Sequence, residues 1–322
     1  MKATATRYLN RELSWLEYNQ RFLDEACDNG IPLLERLHSL ALTSLHLDEF
    51  FMVRVGALKL LVDHRCEAPD IAGLTPGKQL EAILERTRAM CADQYTCFEE
   101  LEQALAGAGI QRVRPGTLSE RQVRMVQQVF ETEIASVLSP LAVDAQGHFP
   151  PLPNQTVIVG IRLKHATGQR VVIIPFGPAT HRFLTLYSEG GYAYLLLEDA
   201  IALFVGRLFP DEELLECVPF RLTRHADAPV RRDLAGDLLQ QLPELSDEAL
   251  ARDCVRLEID QRASAELRDF ILAASPAPTP CVFAVPGPLD LAAFGQLHRL
   301  AGFEKLKYDT WPPQPSPSVD LT

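Results

Sequence analysis

From Arg11 onward the apolar positions Trp15, Tyr18, Phe22 and Ala26 recur at steps of three and four, and Leu13, Leu16 and Leu23 widen the stripe. That period puts one apolar face on a helix and predicts an amphipathic helix that ends near Asn29 and Gly30. Pro32 suits the first position of a second helix, which Leu33, Leu37, Leu40 and Ala41 continue. Thr43 and Ser44 then interrupt the pattern before Leu47, Phe50, Phe51, Val53 and Leu58 resume it, so a break or kink is expected near residues 43–46. Thr75 followed by Pro76 reads as a cap and a first-turn proline, and Leu80, Ile83, Thr87, Met90, Phe98, Leu101 and Leu105 carry a long helix to Gly107 or Gly109. Residues 1–109 are expected to be all helical and packed as an antiparallel bundle.

Beyond that point Ser119 with Gln122 three residues later is a capping-box pattern, and Val123, Val126, Phe130, Ile134 and Leu138 continue its helix towards Pro140. The period then changes. TVIVGIRL (156–163) and RVVIIP (170–175) are β-branched runs around a short turn, and the runs 183–187 and 192–197 flank an SEGG turn, which predicts two hairpins. Further strands are expected at 216–223, 254–260 and 281–285, with helices near 198–208, 231–242, 264–274 and 289–300. The fold class is thus α followed by α+β: a helical N-terminal domain (1–109), a mixed α/β head domain (110–310) and a proline-rich linker (311–322).

Composition narrows the class further. Hydrophobic residues make up 47% of the 322 and charged residues 23%, which is globular and enough for about two domains. No stretch approaches the roughly 18 uninterrupted apolar residues of a spanning helix, and the start lacks an apolar signal core, so a cytoplasmic protein without a transmembrane segment is expected. The seven cysteines are scattered without metal-ligand spacing and read as reduced thiols, Cys91 and Cys97 as core or interface thiols. A net charge of −12 disfavours nucleic acid as a partner, and a polyanionic substrate would need a local basic patch.

The block YLNRELSWLEYNQRFLDEACDNGIPLLERLHSLALTSLHLDEFFMVRV (8–55) resembles the opening of bacterial polyphosphate kinase. So do FPPLPNQTVIVGIRL (149–163), YLLLEDAIALFVGRLFPD (194–211), FRLTRHADAP (220–229), VRLEID (255–260), VPGPLDLAAF (285–294) and LKYDTWPP (306–313), in the family's order. The resemblance spans the whole chain but only the family's first half. Its two phospholipase-D-like C-terminal domains, which normally follow, are expected to be absent from these residues. The resemblance implies an enzyme that transfers the terminal phosphate of ATP to a histidine and from there to a growing polyphosphate chain, with Mg2+. It also implies a homodimer or tetramer formed through the head and N-terminal domains.

That chemistry splits a difficult transfer between anions into two displacements. The family's phosphohistidine and metal-linked arginines belong to the later domains, so no catalytic and no metal-binding residue is expected here, and none of the eight histidines inherits the nucleophile role. The resemblance implies one ATP contact in this half, the family's Asn immediately before LDEF, at the position occupied here by His46. Asn-x-x-Glu would cap a helix start and present free backbone donors. An imidazole donates or accepts one bond and cannot copy a two-sided carboxamide, so His46 is either a substituted ATP contact or a cap or interface histidine.

Asp48 and Glu49 are expected in a first helical turn, stabilised by the helix dipole. Arg221, Arg224, His225, Arg231 and Arg232 form the densest basic cluster, expected as a solvated charged face, with a polyphosphate guide or dimer contact as the functional alternative. His225 stands where the family usually has Asp. Trp15, Phe50 and Phe51 are expected in the bundle core rather than as a stacking platform. No Walker A loop, GxGxxG, HExxH or nucleophile elbow occurs, so the chain alone is expected to be inactive and to bind neither ATP nor Mg2+ tightly. The rival reading is a non-catalytic diverged homologue acting as a binding or oligomerisation module.

Overall fold

A computed structural model describes residues 8–142, 152–166, 168–176, 180–226, 254–274 and 281–312. Its helical opening contains α1 (Arg11–Cys27), α2 (Leu33–Phe50), α3 (Gly56–Asp63) and α4 (Pro76–Gly107), with a π turn over Phe51–Val55 between α2 and α3. Asn10 caps α1 by accepting the Leu13 amide at 2.9 Å. The same side chain donates to Asp70 and Gln79, tying the start of α1 to the start of α4.

The expected break at residues 43–46 does not occur, because α2 runs unbroken from Leu33 to Phe50 with Pro32 as its N-cap. The Thr43 hydroxyl donates to the Ser39 carbonyl at 3.0 Å, and the Thr43 carbonyl accepts from the buried Asn19 amide at 3.1 Å. Both polar groups are satisfied inside the bundle, so what looks like an interruption in the sequence is a packed contact between α1 and α2. The irregularity comes later. In the π turn the Met52 carbonyl accepts from the Ala226 amide at 2.9 Å, joining the helical region to the sheet.

After the bundle come β1 (Ile110–Arg112), α5 (Glu120–Val129), β2 (Leu141–Ala142), β3 (Val157–His165), β4 (Gly168–Pro175), β5 (Phe183–Leu186), β6 (Tyr192–Leu196), α6 (Leu197–Phe204), β7 (Glu213–Arg224), β8 (Cys254–Asp260), α7 (Ala265–Ala274) and β9 (Val282–Val285). The Ser119–Gln122 capping box forms at α5, whose helix passes into a π turn and stops at Ile134, short of Pro140. Both expected hairpins form, β3 with β4 and β5 with β6. The sheets are β1-β6-β5 and β2-β4-β3-β7-β8-β9, antiparallel except for the pairs β1–β6 and β8–β9. The helix expected at 231–242 lies outside the described residues. That expected at 289–300 is instead a 3₁₀ segment, Leu291–Arg299, packed on α2.

One apolar core crosses residue 109. Leu16, Leu37, Phe51 and Phe98 from the helices belong to the same cluster as Val255, Phe283, Phe294 and Leu297. Phe98 meets Phe294 edge-on at 4.8 Å, and Phe51 meets Phe283 at 5.9 Å. The change of secondary structure at residue 109 is therefore no gap in packing. Among the described residues no helix is long and apolar enough to cross a membrane.

Candidate functional site

Unbroken helical geometry in α2 puts His46, Glu49 and Phe50 along one edge, which Val53 of the π turn continues, and α1 faces it with Trp15 and Tyr18, three residues apart. Together with Arg54 of the π turn they enclose a groove of about 310 Å³. Its floor is aromatic: Trp15 stacks on buried Phe50 with ring centroids 4.5 Å apart and planes within 10°. The His46 ring stands edge-on to Phe22 at 4.9 Å and to Trp15 at 6.4 Å. Phe50 and Phe51 are core residues as expected, but Trp15 is only partly buried and its ring also forms a pocket wall.

His46 does not sit at a helix start. Thirteen residues of α2 precede it, so no free backbone donors surround it, and the capping role expected from sequence is replaced by a side-chain role. Its Nδ1 lies 3.1 Å from the Asn19 carboxamide oxygen. Burial lowers its pKa below the ordinary value of 6.5, with the nearby Glu49 carboxylate acting in the opposite direction. The ring is therefore neutral at pH 7. Arg54 is exposed at the rim and makes no ion pair or hydrogen bond with another described residue, which leaves its guanidinium available to an anion.

Asp48 points the other way. It accepts from Arg221 at 2.8 and 2.5 Å and from Arg256 at 3.4 Å, and Glu258 closes the set by accepting from Arg221 at 3.1 Å and Arg256 at 2.8 Å. All four side chains are buried. Asp48 is thus no first-turn dipole partner, as the sequence led us to expect, but the clamp between α2 and the six-stranded sheet. The basic cluster is corrected likewise. Arg221, Arg224 and His225 are buried rather than solvated, while Arg231 and Arg232 lie outside the described residues.

Strand alternation explains that burial. Arg221, Thr223, Arg256 and Glu258 share one face of β7 and β8, where Arg221 and Glu258 are register partners, and this face packs under the π turn and α4. Phe220, Leu222, Leu257 and Ile259 fill the other face against Leu267 and Ile271 of α7. Arg182 extends the polar layer. It donates to Glu198 at 2.6 Å and to the Leu289 carbonyl at 2.6 Å, holding the loop that carries Asp290.

A larger cleft, of about 690 Å³, opens between α4, α6 and the loop 286–288. Five carboxylates line it, Glu99, Glu102, Glu198, Asp199 and Asp260, against Arg112, Arg114 and Arg262. Each of those arginines is already paired with a carboxylate of the cleft, Arg112 with Glu102 and Asp199, Arg114 with Glu102, and Arg262 with Asp260. The cleft has volume but no spare cation for a phosphate. Size and chemistry therefore point to different places, and for an anionic aromatic ligand the chemistry favours the smaller groove. Sequence reasoning singled out His46 but missed Asn19, Tyr18 and Arg54 beside it. The spacing of Trp15 and Tyr18 carried the signal, but both were absorbed into the apolar stripe.

Two family profiles match the chain: the polyphosphate kinase N-terminal domain over residues 8–113 and the polyphosphate kinase middle domain over residues 121–297. A polyphosphate kinase of Rhodopirellula baltica is 34% identical over 390 residues, covering 99% of this chain and 46% of that protein. One from Staphylococcus epidermidis is 37% identical over 319 residues, covering 97% of this chain and 43% of that protein. The crystal structure of polyphosphate kinase from Porphyromonas gingivalis superposes with a TM-score of 0.78 at 20% identity, over 96% of this chain and 44% of that one, a likeness of fold. The chain thus spans less than half the length of the curated relatives it matches.

Proposed function

Because the chain belongs to the polyphosphate kinase family and carries its N-terminal and middle domains, we propose that this half supplies one wall of the ATP pocket while the phosphohistidine chemistry resides in the family's later domains. The observation that carries the reading is the groove at His46. There an aromatic floor, a neutral imidazole and an uncommitted arginine meet at the position where the resemblance implies an ATP-contacting residue. Trp15 and Tyr18 offer ring faces to a nucleobase, and Arg54 offers a charge to the nucleotide's phosphates. A groove of about 310 Å³ takes a base and its sugar, leaving the terminal phosphate outside, where a nucleophile from another domain would meet it.

The clamp beneath fixes the wall. Asp48, two residues from His46, ties α2 to β7 and β8 through Arg221 and Arg256, so the binding surface rests on a rigid sheet. Mg2+ in the family balances charge on the phosphates during transfer. Among the described residues no group of three or more His, Cys, Asp or Glu side chains is arranged around a common point, and the reading assigns no residue of this chain to that ion. Cytoplasmic location, polyphosphate as product, and a homodimer or tetramer formed through these two regions belong to the same reading and rest on family membership.

Incubating the chain with γ-labelled ATP and Mg2+ tests the division of labour. No acid-labile phosphoenzyme and no polyphosphate are expected. Acid-labile label on this chain would place the nucleophile here and overturn the reading.

A further inference from the structure

Asn19 is fully buried, and both of its polar ends are committed. Its amide nitrogen donates to the Thr43 carbonyl at 3.1 Å and approaches the Met90 sulfur at 3.5 Å, so its orientation is set by the backbone of α2. The end that faces His46 Nδ1 at 3.1 Å is therefore the carboxamide oxygen, an acceptor only. An acceptor there requires the proton on Nδ1. A neutral imidazole carries one ring proton, so Nε2 is left with a lone pair, and it has no protein partner among the described residues. Burial keeps the ring neutral at pH 7, which preserves that lone pair.

Resting on the nucleotide reading of this groove, we infer that His46 is a specificity-determining residue that reads an exocyclic amine on the nucleobase through Nε2, with Asn19 as the positioning residue that fixes its tautomer. The neutral ring accepts a hydrogen bond and cannot give one at Nε2. A base that presents an amino group at the reading edge, as adenine does, satisfies it. A base that presents a carbonyl oxygen there, as hypoxanthine does, sets lone pair against lone pair and leaves both unpaired. An asparagine at this position could turn its carboxamide to suit either base. Histidine held by Asn19 cannot, so this chain should discriminate where an Asn-bearing one would not.

The experiment uses the chain with Trp311→Phe, which leaves Trp15 as the one tryptophan; Trp311 is exposed and lies outside the groove. Titrations with ATP and with ITP are followed by Trp15 fluorescence. ATP should bind about tenfold more tightly than ITP, and His46→Asn should bring the two within about twofold. Ring 15N shifts of His46 in the unliganded chain give a second readout, with Nδ1 expected protonated and Nε2 bare. A proton on Nε2, or equal affinities for ATP and ITP in the unsubstituted chain, would overturn the inference while leaving the pocket in place. Failure of both nucleotides to change Trp15 emission would overturn the pocket reading and the inference with it.

Discussion

Asp48 shows how much a single residue holds in place. Its carboxylate accepts three of the hydrogen bonds made by Arg221 and Arg256, and its removal would leave Glu258 as the one carboxylate hydrogen-bonded to both buried guanidiniums, with Asp290 3.9 Å from Arg221. Breaking one side of a buried pair costs about 3–5 kcal/mol, far more than a surface pair contributes. Asp48→Ala should therefore lose about that much stability in a denaturant titration, whereas Glu49→Ala on the exposed side of the same helix should change it by less than about 0.5 kcal/mol. Equal small losses at both positions would mean that the arginines find other partners. His46 stands between these two roles: its helix is fixed by Asp48, and its ring is fixed by Asn19.

At the scale of elements, the junction between the π turn and β7 depends on a missing side chain. A Cβ on Gly56 would lie 2.0 Å from the His225 ring, although Gly56 has helical φ and ψ of −57° and −51° that suit alanine well. Helix propensity alone predicts that Gly56→Ala stabilises by up to about 1 kcal/mol. The packing predicts the reverse, a loss of about 1–3 kcal/mol, with the double variant that also carries His225→Ala losing less than the sum of the two single changes. A stabilising Gly56→Ala would show that the ring moves aside freely.

The same junction marks where sequence reading stopped. The hairpins, α1, α4 and the α5 cap were legible because each is specified by residues within a few positions of one another. FRLTR and VRLEID also showed their alternation, but a polar strand face normally meets water, and nothing local reveals that α2 and α4 cover this one. Arg221 finds Asp48 across 173 residues, a distance over which periodicity carries no information. The break expected at Thr43 failed for the same reason, since its satisfying partner Asn19 lies on another helix. His46 was found through family resemblance. The residues that give it a tautomer and an aromatic floor emerged only once α1 and α2 were packed together.

At the scale of the whole molecule, the helical and α/β regions share one apolar core among the described residues, which predicts that they unfold as one unit. Phe294 contacts both Phe98 of α4 and Phe183 of β5, at 4.8 and 5.2 Å. Calorimetry should show a single unfolding transition, and Phe294→Ala should lower it by about 3–5 kcal/mol without splitting it. Two resolved transitions would mean that the regions fold separately. Two openings compete for the name of nucleotide site, and charge separates them: the larger cleft has five carboxylates and only paired arginines, whereas the smaller groove has aromatic walls, one carboxylate, Glu49, and an Arg54 that has no partner among the described residues. The measurement that decides between them is the set of intermolecular nuclear Overhauser effects from the adenine H2 and H8 protons of ATP bound to this chain. Contacts to the Trp15 and Tyr18 ring protons are predicted, whereas contacts to Tyr95 and Phe98 in the acidic cleft would contradict the account.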